Sequence, residues 1–391
     1  MEKTKKVIKF SDWPKFDSKD VFSVKKILLS GKINYWTGNR CREFENLFKK
    51  KFGLKYAIAV SNASIGLNLA LQSLNLKKND EVLVTPRSFV ASASCVLTTK
   101  AKPIFCDVDI NTQGLSLETI KKKISKRTKV IICVHLAGIP CDIKKIVNFA
   151  RKQKIIVIED CSQAHASKID NRYVGSFGDI SVWSFCNDKI ISTGGEGGMI
   201  SAKNYNYYTK LFSLKDHGKN FTKKNNKSKL YFNYIHDFEG SNYRMTEFQA
   251  QLGINQLKVI DTIARRRFKI FKTLKNKVKK SKLINEIKIP ENYFVSAYRV
   301  YIFAKNQRIR NYILKKINNE GVECNQGSCP EIYNEKIFKK LKVRKLINAH
   351  NLGKKSISLP SHHLIDDKKL DLMVKIINKT VSLAERKFSN E

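Results

Sequence analysis

The sequence lacks any apolar run long enough to cross a membrane. Its longest such run, Val130 to Ala137, is far shorter than the roughly 20 residues that a spanning helix needs. The first residues, MEKTKKVIKFSDWPKF, are basic and contain no continuous apolar stretch, so we expect no secretory signal peptide. We therefore expect a cytoplasmic protein that does not use the membrane as a partner.

Paired cysteine spacings are also missing. The nine cysteines are scattered, their number is odd, and no CxxC pattern occurs. With no secretion signal, this distribution indicates reduced thiols in a cytosol. His362 and His363 form an adjacent pair, but no third ligand follows at a suitable spacing. We predict no metal site.

Acidic residues are scarce: 34 Asp and Glu stand against 75 Lys and Arg, which gives a formal net charge of +41. Such a charge could indicate nucleic-acid or membrane-surface binding. It could equally result from codon drift in an AT-rich genome, which enriches Lys, Asn and Ile together. Because the lysines are spread along the chain, we favour drift and expect no nucleic-acid partner. A positively charged entrance to a binding site could still attract an anionic substrate.

The pattern that is present indicates a large α/β domain followed by a smaller one. The chain has 391 residues, of which 42% are hydrophobic, enough for a real core. Short β-branched runs alternate with amphipathic segments, which predicts a mostly parallel sheet with helices on both faces. We place the large domain at 1–257 and a small C-terminal domain at 258–391. Within the latter we predict a strand from Val295 to Ala304.

Two of these runs carry polar groups that could do chemistry. Ile155 to Ile158 leads into Asp160, and Ile180 to Phe185 leads into Lys189. Ligands of an open parallel sheet bind beyond the carboxyl ends of its strands, so both groups should face one crevice. Pyridoxal phosphate (PLP) needs such a pair, because a lysine forms its Schiff base and an acid holds its pyridine nitrogen protonated. From these two residues alone, a structural salt bridge remains an alternative.

The surrounding motifs favour the cofactor. ED-x-x-QAH, GSFGD, SF-x-x-x-K and GGEGG follow one another in an order and spacing that resembles the DegT/DnrJ/StrS family of PLP-dependent sugar aminotransferases. The resemblance covers nearly the whole chain. It implies the α/β fold of fold type I, aspartate-aminotransferase-like enzymes, in which a large αβα sandwich with a mostly parallel sheet carries a small C-terminal α/β domain.

The resemblance also implies roles for single residues. Asp160 would bond the pyridinium nitrogen, Gln163 would contact the phenolic oxygen, and Ser184 would bind the phosphate. Lys189 would form the Schiff base and then carry a proton between substrate and cofactor. Asp160 and Lys189 are therefore the predicted catalytic residues.

Three further positions complete the predicted cofactor site. The turn at Ala63 and Ser64 opens a helix and would present free N–H groups to the phosphate, although Ala63 replaces the glycine typical of the family and Ser64 its threonine. Phe89 would stack on the pyridine ring, with a core phenylalanine as the alternative.

Asn242, in GSNYRM, lies where family members reach the cofactor phosphate of a neighbouring subunit. The resemblance thus implies a homodimer with a shared active site. The motif could also serve simply to begin the next helix, which Thr246 is expected to cap.

The function implied is transfer of an amino group, from an amino acid such as glutamate, to a keto carbon of a nucleotide-diphosphate-linked sugar. Such a reaction serves amino-sugar and surface-polysaccharide biosynthesis. One alternative is a sugar dehydratase on the same scaffold, but those relatives carry a histidine where this chain has Lys189. The others are a regulatory or nucleic-acid-binding relative and a fold type I enzyme acting on amino acids alone.

Overall fold

A computed structural model describes residues 13–220, 223, 234–285 and 288–389. Most of the N-terminal segment in which no signal peptide is expected lies outside these ranges. All nine cysteines lie within them and are free thiols. Over the part of the chain that is described, no helix combines the length and apolarity needed to span a bilayer.

The strands form three sheets. In chain order they are β1 (Tyr56–Val60), β2 (Glu81–Val84), β3 (Lys102–Phe105), β4 (Thr128–Val134), β5 (Ile156–Asp160), β6 (Lys168–Ile169), β7 (Arg172–Tyr173), β8 (Ile180–Ser184), β9 (Gly198–Ala202), β10 (Ile284–Asn285), β11 (Tyr293–Phe294), β12 (Val300–Ala304) and β13 (Ser356–Leu359).

The helices lie before β1, between the strands and after β13. They are α1 (Ser18–Ser30), α2 (Arg40–Phe52), α3 (Ala63–Gln72), α4 (Ala91–Ser94), α5 (Leu117–Lys121), α6 (Ile143–Lys152), α7 (Tyr205–Lys215), α8 (Glu247–Lys277), α9 (Gln307–Asn319), α10 (Ile347–Lys355) and α11 (Asp367–Lys387). Short 3₁₀ segments lie at Cys95–Thr98, Leu136–Gly138, Ile332–Asn334 and Lys336–Leu341.

The central sheet has seven strands in the order β1-β9-β8-β5-β4-β2-β3. Strands β3, β2, β4, β5 and β8 are parallel to one another, whereas β9 runs antiparallel to both β1 and β8. The strands are almost wholly buried, as expected when helices cover both faces. The predicted mostly parallel α/β sheet is confirmed.

Helix periodicity explains how the crossovers cover this sheet. In α6 the buried residues recur at helical spacing: Ile143, Ile146, Val147 and Ala150. In α3, Gly66 allows close approach, since an added Cβ would lie 2.8 Å from a Val182 methyl on β8. The sequence thus places one apolar stripe of each helix against the β-branched faces of the strands.

A smaller sheet, β10-β12-β13, packs with α9, α10 and α11 at the C-terminal end of the chain. The 31-residue helix α8 connects the two parts. The predicted boundary between residues 257 and 258 falls inside α8, and this division of domains stays a prediction.

One local expectation was wrong. The predicted strand from Val295 begins only at Val300, because Ala297 adopts a left-handed backbone conformation with φ of 47°. Helix α1 begins at Ser18 and is capped by Asp17, whose carboxylate accepts the Asp20 N–H at 2.9 Å. The small sheet β11-β6-β7 was not predicted.

Candidate active site

The sheet topology brings the two predicted catalytic segments to one edge. Strands β5 and β8 are adjacent and parallel, and Asp160, the last residue of β5, is paired with Val182. Strand β8 ends at Ser184, and the chain then turns through the loop that carries Lys189. The crevice beyond these carboxyl ends is where an α/β sheet binds its ligand.

Asp160 is buried and held by two donors. The Ser92 hydroxyl donates to its Oδ2 at 2.7 Å, and the Ser162 N–H donates to its Oδ1 at 3.1 Å. Ser92 was not predicted from the sequence, where it is one of several small residues. Phe89 lies three residues earlier and is 64% exposed, so its ring is not part of the core. An exposed Phe89 ring, three residues before the serine that binds Asp160, is consistent with the predicted stacking role.

Lys189 makes polar contacts with Asp188 and Tyr298 that were not predicted from the sequence. Its Nζ donates to Asp188 Oδ1 at 2.9 Å and lies 3.4 Å from the Tyr298 hydroxyl. That hydroxyl in turn donates to Asp188 Oδ2. Burial alone would lower the pKa of Lys189, but the Tyr298 phenol and the Asp188 carboxylate outweigh it and raise this pKa above its ordinary value.

The turn that carries Tyr298 is fixed from several sides. The Tyr298 N–H donates to the Ala137 carbonyl at 3.0 Å, which anchors it to the segment after β4. The Ala297 carbonyl accepts from the Ser361 hydroxyl at 2.7 Å and from Arg267 on α8 at 3.3 Å. The C-terminal part of the chain therefore supplies a side chain to the Lys189 pocket.

Gln163 is oriented by the same segment. Its Oε1 accepts the Ala137 N–H at 2.8 Å, which leaves the Nε2 amide to donate elsewhere. An amide donor close to Asp160 in sequence and largely buried is what contact with a phenolic oxygen requires.

His165 is fully buried, and neither of its ring nitrogens has a hydrogen-bond partner among the described residues. Burial, with smaller contributions from Lys189 and Arg267, lowers the pKa of His165 to about 3. The imidazole is therefore neutral at physiological pH and packs at 5.7 Å, centroid to centroid, from the Phe185 ring.

The predicted phosphate cradle is assembled across three strands. Ser184 is paired with Gly198, and Gly198 is paired with Val60, the residue from which the chain turns into α3. An added Cβ at Gly198 would lie 2.8 Å from the Ala63 nitrogen, so only glycine allows the start of α3 to sit this close.

The first turn of α3 keeps free donors. Asn62 caps it by accepting the Ile65 N–H at 2.9 Å. The N–H groups of Ala63 and Ser64 have no acceptor within the described structure, and they point along the positive end of the helix dipole. Together with the Ser184 hydroxyl they form a donor set suited to a phosphate.

Among the described residues no hydrogen bond joins Asn242 to the other predicted site residues, although the neighbouring Tyr243 and Arg244 pair with Ser61 and Val60, just before α3. It is exposed, its Oδ1 accepts the Arg244 N–H at 3.4 Å, and its backbone bridges to Asp216. Arg244 and the Trp36 indole both donate to the Asp216 carboxylate, which fixes this segment. Within its own subunit, Asn242 faces outward.

One buried cluster could be mistaken for a metal centre. His135, Glu159 and Cys161 offer ligand atoms within 4.8 Å of one another. Glu159, however, accepts the N–H groups of Gly175, Phe177 and Gly178 and pairs with His135 Nε2 at 3.0 Å. The other ring nitrogen of His135, Nδ1, accepts the Cys141 N–H, so its lone pair is already engaged in a hydrogen bond. The donor chemistry fits a structural network.

The residues at the sheet edge do fit pyridoxal phosphate. They offer a lysine amine, a buried carboxylate, an amide donor, a hydroxyl and free helix N–H groups, from the residues Lys189, Asp160, Gln163, Ser184, Ala63 and Ser64. Each is the complement of one polar group of that cofactor.

Comparison with known proteins supports this fit. Residues 14–378 match the DegT/DnrJ/EryC1/StrS aminotransferase family. The chain is 33% identical over 349 residues to the GDP-perosamine synthase of Escherichia coli O157:H7, with 88% of this chain and 91% of that protein covered. The solved aminotransferase of Psychrobacter cryohalolentis superposes with a TM-score of 0.93 at 36% identity, covering 96% of this chain and all (100%) of that one.

The fold is also that of the putative sugar aminotransferase Spr1654 from Streptococcus pneumoniae, solved in a PLP form and a PMP form. Its PMP form aligns with a TM-score of 0.88 at 23% identity over 96% of this chain and 100% of that one. The predicted fold type I architecture is confirmed, and a non-catalytic nucleic-acid-binding protein is not supported. This chain belongs to the DegT/DnrJ/EryC1/StrS family of PLP-dependent aminotransferases.

Proposed function

We propose that the protein transfers an amino group from an amino acid, glutamate, to the keto carbon of a nucleotide-diphosphate-linked sugar, for amino-sugar and surface-polysaccharide biosynthesis. The near full-length match to a GDP-perosamine synthase supports a nucleotide-linked sugar as the acceptor. The observation that supports the proposal is the parallel pairing of β5 with β8, because the first strand ends at Asp160 and the second leads into the loop that carries Lys189.

The chain's own residues divide the work of holding the cofactor. Bound pyridoxal phosphate supplies an electron sink that stabilises negative charge on the substrate carbon. Asp160, fixed by Ser92 and Ser162, would accept a hydrogen bond from the protonated ring nitrogen. Gln163 would donate to the phenolic oxygen through Nε2. Ser184 and the N–H groups of Ala63 and Ser64 would bind the phosphate, and Phe89 would cover the ring.

Lys189 has two proposed tasks. Its Nζ would hold the cofactor covalently, and its free amine would carry a proton between substrate and cofactor. The Asp188 carboxylate and the Tyr298 hydroxyl hold this nitrogen in place, because both lie within hydrogen-bond distance of it. A histidine at 189 could not form the Schiff base, which is why a lysine there favours transamination over dehydration.

The proposed active unit is a homodimer in the cytoplasm. Asn242 is exposed and, among the described residues, its side chain has a hydrogen bond only with the Arg244 N–H, which is consistent with donation to the phosphate of a second copy. Nine free cysteines are compatible with a reducing compartment.

The acceptor can be tested with a panel of nucleotide-linked keto sugars and ¹⁵N-glutamate. We expect one keto sugar to gain the labelled nitrogen and lose its carbonyl oxygen, as read by mass spectrometry, and Lys189→Ala to abolish the product. Lys203→Ala, which removes a lysine after β9, is the matched control. Loss of a hydroxyl without nitrogen uptake would instead identify a dehydratase, and no product with any sugar would contradict the proposed acceptor class.

A further inference from the structure

Asp188, the residue before Lys189, makes a defined contact with the lysine side chain. Asp188 forms an ion pair with Lys189 at 2.9 Å, although its own side chain is 49% exposed and that of Lys189 is only 17% exposed. The carboxylate thus approaches the amine from the solvent side of the pocket. Adjacent side chains on an extended segment point apart, so the chain must turn to bring these two together.

Tyr298 fixes the carboxylate in this position. Its hydroxyl donates to Asp188 Oδ2, which leaves Oδ1 for Lys189. Lys189 Nζ also lies 4.9 Å from the centre of the Tyr298 ring. Since the Tyr298 turn is itself bonded to Ala137 and Ser361, the carboxylate is held by a rigid element rather than by a mobile loop.

We propose that Asp188 is a positioning residue that holds the free side chain of Lys189 as an ammonium ion beside Tyr298, so that the lysine gives up a proton before it condenses with an aldehyde. This inference rests on the proposed role of Lys189 as the cofactor-binding amine. It goes beyond that role, because it assigns the control of the amine's protonation to a second residue.

Three further ionisable groups lie near this pair. His165, on the segment after β5, is neutral, while Arg267 on α8 and Arg299 after the Tyr298 turn are cationic, and Arg299 favours the charged form of the Asp188 carboxylate. The Asp188 carboxylate raises the pKa of Lys189, together with Tyr298 and against burial. Removing the carboxylate would leave burial unopposed by a charge, and the pKa of the amine would fall.

The condensation step makes this measurable without turnover. A neutral Nζ uses its lone pair to form a bond to the aldehyde carbon, and the carbonyl oxygen leaves as water after proton transfer. The ammonium form has no lone pair, so its proton must first pass to solvent. Below the pKa of the lysine, the rate of condensation therefore rises about tenfold for each pH unit.

The test follows pyridoxal phosphate uptake by the full-length protein after removal of cofactor with hydroxylamine, by visible absorbance across pH. We expect the wild-type rate to keep rising to about pH 10 or above. Asp188→Asn should level off at a lower pH and condense about tenfold faster at pH 7.5, whereas Asp188→Glu should resemble the wild type. A general gain in affinity for the anionic cofactor would raise the whole curve without moving its midpoint.

Asp170→Asn provides the charge-matched control, because Asp170 is an exposed carboxylate paired with Lys144 on another part of the surface. Identical midpoints for Asp188→Asn and wild type would overturn the proposal, as would a wild-type curve that levels off below about pH 9. The second criterion needs no variant. Failure of the proposed function would look different: borohydride trapping and peptide mass would then place the cofactor on a lysine other than Lys189.

Discussion

At the scale of single residues, Lys215 is a buried charge outside the proposed cofactor site. Its side chain is fully buried, with Nζ 3.8 Å from Glu45 Oε1 and 3.7 Å from the centre of the Tyr35 ring. Burial lowers the pKa of Lys215 and raises that of Glu45, so each depends on the other to stay charged. The Lys215 carbonyl accepts the Tyr243 N–H, which ties this pair to the segment that presents Asn242.

Removing one member should therefore leave an uncompensated buried charge. We expect Lys215→Met to lower the free energy of unfolding by about 3 to 5 kcal/mol. Glu45→Gln should also destabilise, and the double variant should lose less than the sum of the single losses. Urea unfolding at one protein concentration measures all three. Strict additivity would show that the two side chains are not coupled.

At the scale of elements, the hydrophobic pattern of the sequence was sufficient to predict a mostly parallel sheet. Strands β5 and β8 fall within one or two residues of the predicted runs, because a buried strand between turn residues leaves a clear signal. Their parallel pairing, which sets Asp160 beside Val182, agrees with the parallel sheet that the alternation of elements implied.

Contacts distant in sequence were beyond this reasoning. Tyr298 was read as part of a continuous strand from Val295, since nothing local marks Ala297 as a left-handed residue. The turn exists because Ser361 and Arg267 bind the Ala297 carbonyl. Ser92 was missed for the same reason. Asp188 did carry a signal, a carboxylate next to the predicted Schiff-base lysine, but its value depended on Tyr298.

At the scale of the whole molecule, the structure leaves one predicted contact unmade. Asn242 is exposed on a segment braced by Asp216, Arg244 and Trp36, and among the described residues no hydrogen bond joins it to the other predicted cofactor residues of its own subunit. A rigid, outward-facing amide is suited to a two-fold interface, in which each copy gives to the other what it receives.

A shared site predicts complementation between two inactive variants. Lys189→Ala and Asn242→Ala should each be inactive or strongly impaired as homodimers. In mixed dimers, one of the two sites receives both native side chains, so an equal, randomly exchanged mixture should recover about a quarter of the wild-type activity. The mixture of Lys189→Ala with Asp160→Ala is the control and should stay inactive, because both residues belong to one subunit's half of the site. Recovery in neither mixture would place Asn242 within its own subunit's function or outside catalysis.

The proposed chemistry depends on one nitrogen atom, the Nζ of Lys189. The most direct measurement incubates the purified protein with pyridoxal phosphate, reduces it with borohydride and locates the fixed mass by peptide sequencing. We predict a single modified residue, Lys189, with a visible absorbance band that Lys189→Ala abolishes and Lys203→Ala retains. A cofactor fixed elsewhere, or no uptake by a folded protein, would contradict the assignment of this crevice as the active site.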